Sequence, residues 1–282
     1  MSAAELPWLF IVGSLLLNST IELWFRVAHR TQMHEPTYMV AQSALVFTTL
    51  GVIGAIGAFG VGFELTPEMA ALGVVNGLLG YATGWSHLYA IGRGPVSVTA
   101  ALKRLSFVVT GALAIVFLGE SLTLVKGAAL VLAVGAVLVM AGGAADQRPH
   151  PMVLVTIVTA GVMAFGHKIG AAAGVSSSAF LMCQSGTAHL FAHAVCWRTG
   201  GYRFNPRLVR FAMVTGATIA GAMSLALAAL SQADAVVVVP LLQLGFLFTA
   251  PASFLFFGEP VARRKIIGIL LGLCAVLAFG IG

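Results

Sequence analysis

Val96–Leu118 reads VSVTAALKRLSFVVTGALAIVFL, a membrane-length apolar run whose only charges are Lys103 and Arg104. Roughly 20 mainly apolar residues suffice for a helix to cross a bilayer. A cation inside such a run is costly, and by default it faces a cavity, an ion partner or a ligand. Two adjacent cations are hard to account for by packing alone. The stretch therefore predicts a membrane helix with an anion-attracting site in the protein interior.

Composition carries this reading to the whole chain. Of 282 residues, 59% are hydrophobic and 9% charged, with a mean hydropathy of +1.00. That much apolar surface suits a lipid-embedded protein, not a soluble domain. The pI of about 9.7 raises nucleic acid as a partner. The cations are few and spread over short gaps, with no basic stripe and no aromatic platform, so nucleic acid is rejected. Cys183, Cys196 and Cys274 lie in apolar segments without a CxxC pair, which argues against a disulfide framework. Met1–Glu5 lacks the basic start of a signal peptide, so the first apolar run is expected to be a retained span.

Ten apolar segments are expected: 6–27, 37–61, 69–91, 96–118, 123–142, 152–172, 178–197, 208–231, 235–257 and 264–281. Turn-forming punctuation separates them, including Glu35-Pro36, Thr66-Pro67, Gly92-Arg93-Gly94-Pro95, Arg148-Pro149 and Asn205-Pro206. The polar stretch near 145–151 divides the chain into two halves, 1–144 and 150–282, of five segments each. The halves recur at an offset of 139 residues. Gly119-Glu120 matches Gly258-Glu259, Lys126 matches Lys265, and Phe117 matches Phe256. Leu102, Leu105, Phe107 and Thr110 recur as Leu241, Leu244, Phe246 and Thr249. An odd number of spans per half inverts the second half in the membrane, an arrangement used by secondary transporters for alternating access. The fold expected is all-α and polytopic, with ten transmembrane helices in two inverted five-helix repeats.

These features resemble the drug/metabolite transporter superfamily, in particular its ten-span EamA-type members. The most specific elements are Phe117-Leu118-Gly119-Glu120-Ser121-Leu122-Thr123 and Phe256-Phe257-Gly258-Glu259-Pro260-Val261, each followed by a Gly/Ala-rich closing span. The resemblance implies export or exchange of small metabolites, amino acids, drugs, nucleotide sugars or sugar phosphates, through a cavity lined by spans 3, 4, 8 and 9. The Lys-Arg pair is similar to one that helps hold the substrate phosphate in sugar-phosphate translocators. There it lies in the ninth span; here the corresponding ninth-span positions are Leu242 and Gln243.

Eleven of the 15 Lys and Arg fall in odd-numbered loops, which places both termini outside by the positive-inside rule. Members of the resembled family more usually keep both inside. The expected location is the cell membrane.

The candidate substrate-binding residues are Lys103, Arg104, Gln243, Tyr81 and Asn76. Arg104 offers a planar fork to a carboxylate or phosphate, and Lys103 a mobile point charge. Their bland alternative is snorkelling to the interface. Gln243 is the repeat partner of Arg104; Asn76 and Tyr81 are intramembrane polar groups that equally well bond helices together. Glu22, among Asn18, Ser19 and Thr20, and His87, beside Trp85 and Tyr89, are candidates for proton coupling. Their alternatives are an ion pair and an interfacial aromatic belt. His189, His193 and Cys196 share one helix face, but no fourth ligand is evident and no metal or cofactor is expected. Glu120 and Glu259 are read as helix caps. Pro240 and Pro251 are expected to interrupt span 9.

The expected function is secondary transport of a small polar, anionic metabolite, with the lipid bilayer and, as a coupling ion, protons as further partners. Proton-coupled efflux of amino acids or cationic drugs is the alternative, and a non-transporting scaffold or sensor is the alternative of another class. An enzyme is disfavoured, because the nine acids are scattered and no HExxH, DxxxD-type pair or Gly-rich phosphate loop occurs.

Overall fold

The computed structural model describes residues 6–29, 34–55, 66–93, 96–141, 150–172, 177–257 and 263–281. Among them every regular element is an α-helix: α1 Leu6–His29, α2 Glu35–Ala55, α3 Pro67–Arg93, α4 Val96–Lys103, α5 Ser106–Leu118, α6 Leu124–Ala141, α7 Met152–Ala172, α8 Ser177–Arg198, α9 Pro206–Leu230, α10 Ala235–Gln243, α11 Phe246–Phe257 and α12 Arg263–Ile281. Within the described residues each of the ten expected segments is thus helical, and two are broken into half-helices. Among the described residues, five helical stretches are long and apolar enough to cross a membrane: Glu35–Ala55, Thr99–Leu118, Leu124–Ala141, Met152–Ala172 and Pro206–Leu230.

The ends follow from local chemistry. Pro206 stands at the start of α9, where its missing N–H costs nothing, and the Asn205 side chain accepts from the Leu208 amide at 2.7 Å. Gly119 ends α5 at φ 65°, a left-handed conformation that glycine adopts without a Cβ clash. Pro240 and Pro251 sit inside α10 and α11, and the interruption falls between them, at Leu244–Gly245. Its counterpart at Arg104–Leu105 has no proline nearby. Proline is therefore not what breaks these helices.

The burial pattern is that of a lipid-facing protein. Large apolar side chains such as Val116, Leu124, Leu190 and Leu255 are exposed, whereas Ala129, Ala133 and Ala136 of α6 are fully buried. Small residues let helix backbones approach closely where lipid offers no hydrophobic drive for association.

The chain forms two compact units, one of residues 1–81 and 166–232, the other of 82–165 and 233–282. Each draws helices from both halves of the sequence. In the first, α1 packs on α9, and α2 on α8 and α9. Val46, Leu50, Phe180, Leu181, Ala220 and Leu227 form its core. Gly73 and Gly77 press α3 onto α8: a Cβ at Gly77 would come within 2.6 Å of Thr187 Cβ, and one at Gly73 within 2.6 Å of Cys183 Cβ. In the second unit α6 packs on α12, α5 on α10, and α4 on α6. Phe107, Val137, Val236, Leu241 and Leu244 are buried there.

Candidate functional site

The two helix breaks, both in the second unit, meet each other. Around each, amides reach back only three residues. Arg104 and Leu105 donate to Ala101 and Leu102 at 3.1 and 2.9 Å, while Leu244 and Leu247 donate to Leu241 and Leu244 at the same two distances. Such tight turns spend amides that an α-helix would give to carbonyls one residue earlier. The Leu247 amide, bonded to Leu244, is lost to the Gln243 carbonyl. A carbonyl stranded in this way needs another donor.

Arg104 supplies it. Its Nη1 donates to the Gln243 carbonyl at 2.5 Å, and its guanidinium carbon lies 5.6 Å from the centre of the Phe246 ring. In return, Gln243 Nε2 donates to Ser106 Oγ at 3.2 Å. Arg104 is 6% exposed, so this cation is held at the negative end of half-helix α10, where the aligned peptide dipoles favour it. The arrangement places a forked donor beside two interrupted helices, the chemistry suited to a carboxylate or phosphate. Lys103, half-buried, is the last residue of α4.

The start of α10 is held from the other half of the sequence. Glu120 accepts hydrogen bonds from the amides of Ala235 and Val236 at 2.9 and 2.8 Å. The cap is thus on a helix more than a hundred residues away, which is why no local pattern reveals it. Asp234, at the N-cap position, makes no capping bond. It pairs instead with the buried Lys126 at 2.9 Å. Glu259 lies outside the described residues.

The remaining candidates are placed as follows. Arg104 and Gln243 are brought into direct contact. Asn76 and Tyr81 belong to the first compact unit, and Lys103, Arg104 and Gln243 to the second. Asn76 is buried with its Nδ2 3.5 Å from Gln184 Oε1, which also bonds His167 Nε2 at 2.8 Å. His167 escaped the sequence reading because a single histidine in an apolar run carries no pattern. Tyr81 is buried with its ring edge-on to Phe191 at 5.0 Å, and its hydroxyl has no hydrogen-bond partner among the described residues. His87 is buried in α3 next to Ser86, whose Oγ bonds Thr156 at 2.8 Å. Trp85 and Tyr89 pack together at 5.2 Å, and Arg93 lies 3.5 Å over the Tyr89 ring. The side chain of Glu22 lies outside the described residues.

His189 and His193 bond each other at 3.1 Å and reach Ser43 at 3.0 Å and Tyr202 at 2.7 Å. Cys196 turns away to the Gly201 carbonyl at 3.4 Å. Among the described residues no three His, Cys, Asp or Glu come together as a metal site. At the start of α2, His34 bonds Thr37 at 2.8 Å. Partial burial, and then the Arg203 charge, lower its pKa from 6.5, against the opposing pull of Glu35.

Residues 149–281 match the EamA-like transporter family, the family the Gly-Glu motifs resemble. No curated protein matches the sequence. A solved crystal structure of 16% identity aligns over 96% of this chain and 94% of its own with a TM-score of 0.71, a likeness of fold.

Proposed function

We propose that this membrane protein, whose residues 149–281 match the EamA-like transporter family, is a secondary transporter that moves a small polar, anionic metabolite by alternating access. In this reading ten helical segments cross the membrane as two inverted five-helix repeats. Three observations support the repeat. The breaks at 104–105 and 244–245 fall within one residue of the 139-residue offset. In addition, α2 packs on α8 and α6 on α12, each helix against its own counterpart in the other half. A local twofold axis would produce such self-pairing.

The observation that carries the anion is the Arg104–Gln243 contact. Discontinuous helices in transporters present half-helix ends at the substrate site, and irregular backbone is tolerated at membrane depth where it is buried in protein or lines a cavity. Arg104 bonds the Gln243 carbonyl through one arm of its fork. An arriving carboxylate or phosphate would recruit the guanidinium, with Lys103 adding a second charge. Gln243 and Phe246 would orient the rest of the substrate. Because Arg104 also holds the end of α10, engaging it loosens the contact between two broken helices. Substrate binding and helix movement are thereby linked.

Flux through purified protein in proteoliposomes tests this. Labelled carboxylates and organic phosphates are compared with amino acids and cationic dyes. Saturable anion flux is the expected result. Movement of cationic dyes alone, driven by a proton gradient, would instead favour the efflux reading centred on Glu22.

A further inference from the structure

The first compact unit has a pocket of about 580 Å³ between α1 and α9, lined by Trp24, Arg207, Arg210, Phe211, Met213 and Val214. It falls within the ~300–1,000 Å³ common for ligand pockets. Its lining is almost wholly apolar. Trp24, Phe211, Met213 and Val214 make an apolar wall, with the Trp24 and Phe211 rings edge-on at 5.8 Å. Arg207 and Arg210, both exposed, stand three residues apart on one face of α9.

These arginines are oddly placed for a helix on its own. They lie at the N-terminal end of α9, whose first turn contains no acid. The helix dipole disfavours cations there. Among the described residues neither has an ion-pair partner. The amides of α9 do not explain them either, since Asn205 caps the helix through its own side chain. Two exposed arginines at the rim of an apolar pocket, at the end of a helix long and apolar enough to cross a membrane, complement a ligand with an anionic head and a hydrocarbon body.

We propose that this pocket binds an anionic phospholipid of the surrounding bilayer. The phosphate sits between Arg207 and Arg210, whose N–H forks donate to its non-bridging oxygens. One acyl chain runs down the wall formed by Phe211, Met213 and Val214, and Trp24 packs at headgroup depth, where tryptophan concentrates. Basic pockets between membrane helices recognise lipid headgroups in this way. The inference does not depend on what the protein transports.

The test is quenching of tryptophan fluorescence by lipids brominated on the acyl chain, in nanodiscs of phosphatidylcholine. Brominated phosphatidylglycerol is compared with brominated phosphatidylcholine as the minor component, and Trp24→Phe isolates the Trp24 signal from Trp8, Trp85 and Trp197. Two arginines near the surface correspond to roughly thirtyfold preference for the anionic lipid. Preferential quenching by the glycerol lipid, abolished in Arg207→Gln/Arg210→Gln and partly kept in Arg207→Lys/Arg210→Lys, is expected. Native mass spectrometry of the parent and the double Gln variant, counting retained phosphatidylglycerol, gives an independent reading should Trp24→Phe fail to fold. Equal quenching by both lipids, or selectivity that survives the double Gln change, would overturn the proposal. Displacement by inorganic phosphate at low concentration would also overturn it, by marking a site for soluble anions.

Discussion

Replacing Glu120 should loosen a helix to which it is joined by no local sequence. Its carboxylate holds the amides of Ala235 and Val236 at 2.9 and 2.8 Å, and Asp234 offers that end of α10 no capping bond. Removing an N-cap acceptor costs about 0.5–2 kcal/mol. The charge lost beside a helix N-terminus adds roughly 0.3–1 kcal/mol. Glu120 is half-exposed, so water recovers part of this, and Glu120→Ala is expected to cost about 1–2 kcal/mol. Glu120→Gln keeps one acceptor oxygen and should lose about half as much. Hydrogen exchange followed by mass spectrometry reads the effect where it arises. Peptides covering 233–241 should exchange about five- to thirtyfold faster in Glu120→Ala. Peptides from α6, the helix that follows Glu120 in sequence, should change little. Unaltered exchange at 233–241, or a change confined to α6, would refute the cross-sequence cap.

Gly77→Ala should destabilise the first unit by about 1–3 kcal/mol, because the added Cβ meets Thr187 and the Gln184 carbonyl on α8; thermal unfolding in detergent measures this, and Gly127→Ala, with open space around it, serves as control. His34 should titrate below 6.5, with Arg203→Gln raising and Glu35→Gln lowering its midpoint by NMR. A base that binds its proton more weakly when folded disfavours folding at acid pH. The contribution of His34 to stability is therefore present above about 6.5 and is lost as pH falls below it; a midpoint above 6.5 would reverse the sign.

The ten apolar segments were legible because lipid imposes a simple rule, a long run poor in charge. Their ends were legible where the chemistry is local, as at Asn205-Pro206 and Gly119. The break inside Val96–Leu118 was not, and the interruption expected in the ninth segment falls at neither of its prolines. Val96–Leu118 contains no proline, and the prolines of the ninth segment stand on either side of its interruption. What marks the breaks is a tertiary exchange, Arg104 to the Gln243 carbonyl and Gln243 to Ser106. Its charge in an apolar run brought Arg104 to notice and the repeat brought Gln243, whereas Ser106 carried no sequence signal. The Gly-Glu motif announced a cap but not its target. The Asn76–Gln184–His167 cluster likewise joins three helices whose sequences show only isolated polar residues.

The central claim is that Arg104 meets an anionic substrate. Its most direct test is uptake of the transported anion into proteoliposomes by the parent, Arg104→Lys, Arg104→Gln and Lys103→Gln proteins, each shown by its unfolding temperature to be folded. The account predicts that Arg104→Gln abolishes flux, Arg104→Lys keeps part of it with a raised KM, and Lys103→Gln weakens it. Full anion flux through folded Arg104→Gln would contradict the account and leave Arg104 as the cap of α10 alone.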